Sequence, residues 1–210
     1  MATTAETGFD RSVAVTRSML GWGVVAGPFY LVFGVILALT RPGFDFGHDA
    51  LSILLLGDKG WLQATNLVLS GLMTIVAATG LWRTPRWPRP AAVLVAVYGA
   101  GLVLSAFVAP DRAGSGTATV PGLLHLAFGA VGFLALGVAA FIAARWFRRP
   151  AWSVVAGVVI ILAFIAGGAL SQGTAGVVLL WVAVIVGWAW LALASVAAYR
   201  AVPHPLLSRR

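Results

Sequence analysis

Asp45, His48, Asp49 and Ser52 fall close together in a chain whose 210 residues hold only six Asp and Glu and three His. Ser52, His48 or His125, and Asp111 supply the residue types of a proton relay, in which a base draws a proton from a nucleophile and a carboxylate steadies the charged base. Asp111 and His125 supply a second carboxylate and imidazole further along, and Asn66 adds an amide. His48, Asp49, Ser52, Asn66, Asp111 and His125 are therefore the candidate ligand-binding residues, with no catalytic role assigned among them. Each also has a plainer use. Asp49 would cap a short helix, Asp58 would cap the helix after the "GDKG" turn, and Asn66 and His125 would bond neighbouring helices.

The spacing limits the chemistry. A helix over 48–56 puts His48, Asp49 and Ser52 at i, i+1 and i+4 on one side. Ala50, Leu51 and Ile53 to Leu56 then form an apolar side, and Gly47 interrupts any extension back to Asp45. No GxSxG elbow surrounds Ser52. No HExxH or close His pair suggests a metal, glycine-rich phosphate loops are absent, and the lack of Cys removes disulfides and thiolate chemistry. No metal and no cofactor is expected.

The elements that would hold these residues are apolar. Hydrophobic residues make up 60% of the chain and charged residues 10%, and the mean hydropathy is +0.98. A soluble domain carries about a quarter charged residues. Six runs near 19–40, 62–82, 91–109, 122–144, 152–171 and 175–199 contain no Asp, Glu, Lys or Arg. Each approaches the roughly 20 residues that cross a hydrocarbon core of about 30 Å as a helix, the form in which a lone span satisfies its own backbone. The expected fold is all-α: a bundle of six transmembrane helices over 18–200. Polar tails of 1–17 and 201–210 flank it, and a short interfacial helix lies in the first external loop.

The net charge of +8 is a topology signal rather than a nucleic-acid footprint. Arg11, Arg17, Arg83, Arg86, Arg89, Arg145, Arg148, Arg149, Arg200, Arg209 and Arg210 fall on one side of the six spans; Arg41, Lys59 and Arg112 fall on the other. The positive-inside rule then places both termini in the cytoplasm of a multi-pass plasma-membrane protein, with Asp45, His48, Asp49, Asp58 and Asp111 outside. Basic juxtamembrane segments also attract anionic headgroups.

Glycines such as Gly23, Gly27, Gly99 and Gly101 suit close helix packing. Trp61, Trp82, Trp87, Trp146 and Trp152 fall near membrane interfaces. Pro28 would kink the first span. Gln63, Asn66, Ser105, Asp111, His125, Ser171 and Gln172 sit toward the outer ends of their spans, where they would converge beneath the lid formed by 48–56. Asp111 and His125, on spans joined by a short loop, would meet as a pair.

"HDALSILLLGDKGWLQATNLVLSGL", the Asp of "VAPD" and "TVPGLLHL" together resemble domain-of-unknown-function family 998 over about residues 20–200. The motif residues are Ser52, Gly57, Gly60, Trp61, Asn66 and Gly71, then Asp111, Gly122 and His125. The loop "DRAGSGTATV" departs from it in having no proline soon after the Asp. The resemblance implies a six-helix integral membrane protein, mostly found in bacteria, and carries no activity. Three functions fit these observations. The first is binding of membrane lipid, or of a membrane-protein partner, at a polar external mouth. The others are transport of a small solute and hydrolysis of a lipid or envelope substrate by outer Ser, His and Asp residues.

Overall fold

The computed structural model describes residues 9–112, 116 and 118–206. These form six long helices: α1 (Arg11–Thr40), α2 (Gly60–Arg83), α3 (Arg89–Ser105), α4 (Val120–Ala144), α5 (Ala151–Ala169) and α6 (Thr174–Ala201). A single 3₁₀ turn, Leu51–Leu55, lies between α1 and α2. No strand occurs among the described residues. Five of the helices are long and apolar enough to cross a membrane; α3 is apolar but has 17 residues. At 1.5 Å per residue α3 covers about 26 Å.

Each helix packs on its sequence neighbours, and α6 packs on α1, so the six helices close into a ring in chain order. An even number of helices joined by short connections brings both ends of the ring to one face. There the Asp10 amide donates to the Pro205 carbonyl at 2.9 Å. Arg17 donates to the Tyr199 and Val202 carbonyls at 3.2 and 2.8 Å, and its guanidinium lies over the Tyr199 ring.

Polarity runs inside out. Gln63, Asn66, Ser70 and Thr74, spaced at i, i+3, i+7 and i+11, form a fully buried polar line along α2. Large apolar side chains such as Val32, Leu39, Leu162 and Leu193 face outward. Lipid tolerates that exposed surface, whereas intramembrane polar groups turn inward and pair. Asn66 Nδ2 donates to the Tyr30 carbonyl of α1 and to Gln63 Oε1, and Trp190 Nε1 donates to Ser153 Oγ, which donates to the Ala140 carbonyl. Close approach sets the helix crossings. At Gly71 an added methyl would lie 2.6 Å from the Gly99 carbonyl, and at Gly99 one would lie 2.7 Å from that of Gly71.

Several expectations change in detail. Helix α1 starts at Arg11, where the Asp10 carboxylate accepts from the Val13 amide, so part of the expected 1–17 tail is helical. Residues 1–8 and 207–210 of the two tails lie outside the described residues. Span three stops at Ser105 rather than near 109; residues 106–108 turn, and the Ser105 and Val108 carbonyls meet His125 of α4. Trp87 does not sit at a lipid interface; it is buried edge-on against Trp146 and Phe147, with Trp152 tilted against Phe147 beyond them.

Candidate functional site

The first loop is built by local hydrogen bonds. The Asp45 carboxylate accepts from the Gly47 amide at 2.7 Å and from His48 Nδ1 at 2.9 Å. These donors, the amide first, hold the Asp45 carboxyl below its ordinary range. Asp49 folds back and accepts from the Asp45 amide. The helix expected over 48–56 is therefore shorter and tighter, because residues 45–49 are spent on this side-chain turn. Asp49 does not cap it, since its N-cap is Ala50, with no side-chain bond. Asp58 does not cap α2, whose N-cap is Lys59.

Leu51 and Leu54 are buried, and Leu51 faces Gly34 of α1. Arg41 donates to the Ile53 carbonyl at 2.7 Å. At the loop's other end His48 Nε2 lies 3.0 Å from Thr174 Oγ1, in the first turn of α6. The loop thus crosses the ring from α1 and α2 to α6. With Nδ1 donating to a carboxylate, the neutral imidazole has Nε2 as its acceptor, and the Thr174 hydroxyl then donates to it.

A second set of bonds organises the start of α4. Asp111 accepts from the Thr119 amide at 2.9 Å and its hydroxyl at 2.7 Å, and Thr119 Oγ1 accepts from the Gly122 amide. The Thr119 hydroxyl and amide hold the Asp111 carboxyl below its ordinary range. Gly122 is required here, because a methyl would strike the Asp111 carboxylate. His125 Nδ1 donates to the carbonyls of Val108 at 2.9 Å and Ser105 at 3.3 Å. That fixes the Nδ1–H tautomer and leaves Nε2 as an acceptor. Asp111 and His125 share no hydrogen bond, contrary to the expected pair. Each is committed to backbone on the α3–α4 side.

These two structures frame a cavity of about 600 Å³. Its rim carries His48, Asp49, Ser52, Ser105, Asp111, Arg112, His125, Ser171 and Gln172. Its deeper wall carries Tyr30, Leu67, Leu102, Leu126, Phe133, Phe164, Leu180, Trp181 and Val184. Phe133 and Phe164 stack with centroids 4.7 Å apart. Trp181 Nε1 is buried without a hydrogen-bond partner among the described residues.

Of the six candidate residues, His48, Asp49, Ser52, Asp111 and His125 line the cavity. Asn66 does not; it is locked between α1 and α2. Sequence reasoning missed Thr174 and the aromatic wall. The glycine–threonine pair opening α6 was a usable signal for the first. The second reads in sequence like any lipid-facing run. Among the described residues no group of three His, Cys, Asp or Glu is arranged to hold a metal.

The inside-out polarity, the ring of apolar helices and the amphipathic cavity define a polytopic helical membrane bundle. Residues 24–197 match the family model described as "Protein of unknown function (DUF998)", and the chain belongs to that family. No curated protein and no solved structure matches the chain.

Proposed function

We propose that this protein binds an amphiphile, a lipid or a molecule of similar build, with its head at the rim and its apolar part against the aromatic wall. In this reading the rim faces outward from a bacterial plasma membrane, and both termini lie in the cytoplasm. The carrying observation is the polarity gradient of the cavity. Its volume of about 600 Å³ falls within the roughly 300–1,000 Å³ of small-molecule sites, which combine apolar walls with a few placed polar groups. His125 Nε2 and the Ser52 hydroxyl supply an acceptor and a donor at the head; the stacked Phe133–Phe164 pair supplies a smooth apolar face.

Mass spectrometry of organic extracts from the purified protein should find one amphiphile at near-stoichiometric amount. Gly129→Trp, which fills the wall beside Phe164, should remove it while the protein remains folded. Equal lipid in both proteins would refute the assignment.

A second reading is supported by the line Asp45 Oδ2, His48 Nδ1, His48 Nε2, Thr174 Oγ1, at 2.9 and 3.0 Å. This is the carboxylate–imidazole–hydroxyl order of an acyl-transfer relay. The Thr174 oxygen would attack an ester carbonyl as its proton passes to His48 Nε2. The leaving alcohol would take that proton, and water would then release the acid. Ester turnover abolished by Thr174→Val and by His48→Gln, but kept in Ser52→Ala, would establish it; an absence of turnover in the native protein would remove it.

A further inference from the structure

The opposite face of the bundle holds a second pocket, of about 690 Å³. It lies where the start of α1, the end of α2, the turn 84–88 and the chain after α6 meet. Arg83, Arg86 and Arg89 line it, together with Ser12, Thr16 and Trp87, and no carboxylate is among its lining residues. We infer that this pocket is a binding site for a phosphate-bearing anion, separate from the amphiphile cavity.

Four observations converge on that chemistry. Arg83 is fixed rather than free: its Nε donates to Thr16 Oγ1 at 2.9 Å and its Nη2 to Ser12 Oγ at 2.8 Å. Those bonds occupy its Nε–Nη2 edge and hold the guanidinium across the α1–α2 seam, with the Nη1 hydrogens as the donors for an anion. Arg86 has φ of 59°, a left-handed conformation that costs a non-glycine residue energy and is concentrated at ligand clamps and other functional turns. Arg89 lies over the Trp82 ring at 5.2 Å, which orients a third cation at the same opening. Trp87, 4% exposed, has an indole N–H with no hydrogen-bond partner among the described residues.

Three like charges around one pocket repel one another, and a bound anion removes that repulsion. Planar guanidinium forks match phosphate oxygens in pairs. A pocket that opens at a helix end of a membrane bundle is reachable by a phospholipid headgroup from the adjacent leaflet and by a soluble phosphate. The shared chemistry is a phosphate oxyanion.

Native mass spectrometry in dodecyl maltoside should show phosphatidylglycerol binding in preference to phosphatidylcholine. Thermal unfolding with inorganic phosphate forms the second arm. Phosphatidylglycerol bound without protection by phosphate assigns a lipid headgroup, and protection by phosphate without a lipid preference assigns a free anion. Response to neither overturns the proposal. Arg86→Gln with Arg89→Gln should weaken the bound anion about thirtyfold. Arg148→Gln with Arg149→Gln removes the same charge at the same face, outside the pocket, and should weaken it less than about threefold. Equal losses in the two double variants would mean diffuse attraction to a basic surface and would overturn the site. Should the first double variant fail to fold, Arg86→Gly, which suits the observed φ, replaces it with an expected loss of about fivefold.

Discussion

The two ends of the ring are made from the same six helices and finish differently. At the arginine-rich end the connections 84–88 and 145–150 are short. They carry Trp87, Trp146 and Phe147, which pack on one another, and Arg17 ties α1 to the carbonyls after α6. At the other end 41–59 and 106–119 are long, and among the described residues Asp45, Asp49, Asp111 and Thr119 are spent on turns and a cap. Leu51 and Leu54 are buried there beside the amphiphile cavity of about 600 Å³, whereas the pocket of about 690 Å³ at the arginine-rich end is lined by cationic and hydroxyl groups. Phe133 and Phe164 stack along the cavity wall, while Tyr98 of α3 and Trp188 of α6 meet across the ring with centroids 5.5 Å apart. The difference shows that the character of each opening depends on what the connections insert, because the helices are common to both ends.

The largest expected contrast is in stability. Trp87→Ala should cost about 3–5 kcal/mol, as large-to-small changes in packed interiors do. Leu123→Ala, at the half-open rim, should stay within about 0.5 kcal/mol. Thermal unfolding in one detergent compares them; similar losses would erase the distinction between the ends.

A smaller effect is expected at the α4 cap. Thr119→Ala should cost about 1 kcal/mol, and Asp111→Asn should lower the melting temperature at neutral pH. Because the folded Asp111 carboxyl titrates below its ordinary range, its stabilisation is complete above the unfolded-state pKa. It is lost as pH falls through the folded one. The gap between native and Asp111→Asn melting temperatures should therefore close only in acid. A gap unchanged by pH would mean that the carboxylate charge is not what Thr119 uses.

The smallest quantity is a coupling. Asp111 and His125 contact different backbone groups, so their losses on Asp111→Asn and His125→Ala should add. A double variant much more stable than the sum would restore the direct pair that their positions in sequence suggested.

The architecture was legible because a missing charge over about twenty residues leaves few options, and all six runs became helices. The site was legible only as a neighbourhood. His48, Ser52, Asp111 and His125 were recognisable as polar residues at one end of the spans. Their bonding was not, because it is decided by turns of a few residues and by partners far along the chain. Thr174 lies 126 residues from His48, and no periodicity links them. Asp49 and Asp58 looked like caps by position, but Asp49 is drawn to the Asp45 amide instead. Gly122 had a reason visible only in space: the room it leaves for a carboxylate.

The bond between Asp10 and Pro205 has a bearing on how this molecule is made. With its two ends joined at one face, the ring has no geometrically privileged starting helix. A circular permutant that links the present ends and opens the chain at 170–173 would synthesise α6 first, yet keep every helix beside its present neighbours. The native order of insertion instead leaves the Gly23–Gly27 face of α1, which packs on Ser195 and Trp188, waiting for α6, the last of the six helices to be made. Assembly of the ring in the membrane is thus a closing step, and a permutant that starts from α6 would show whether that delay is needed.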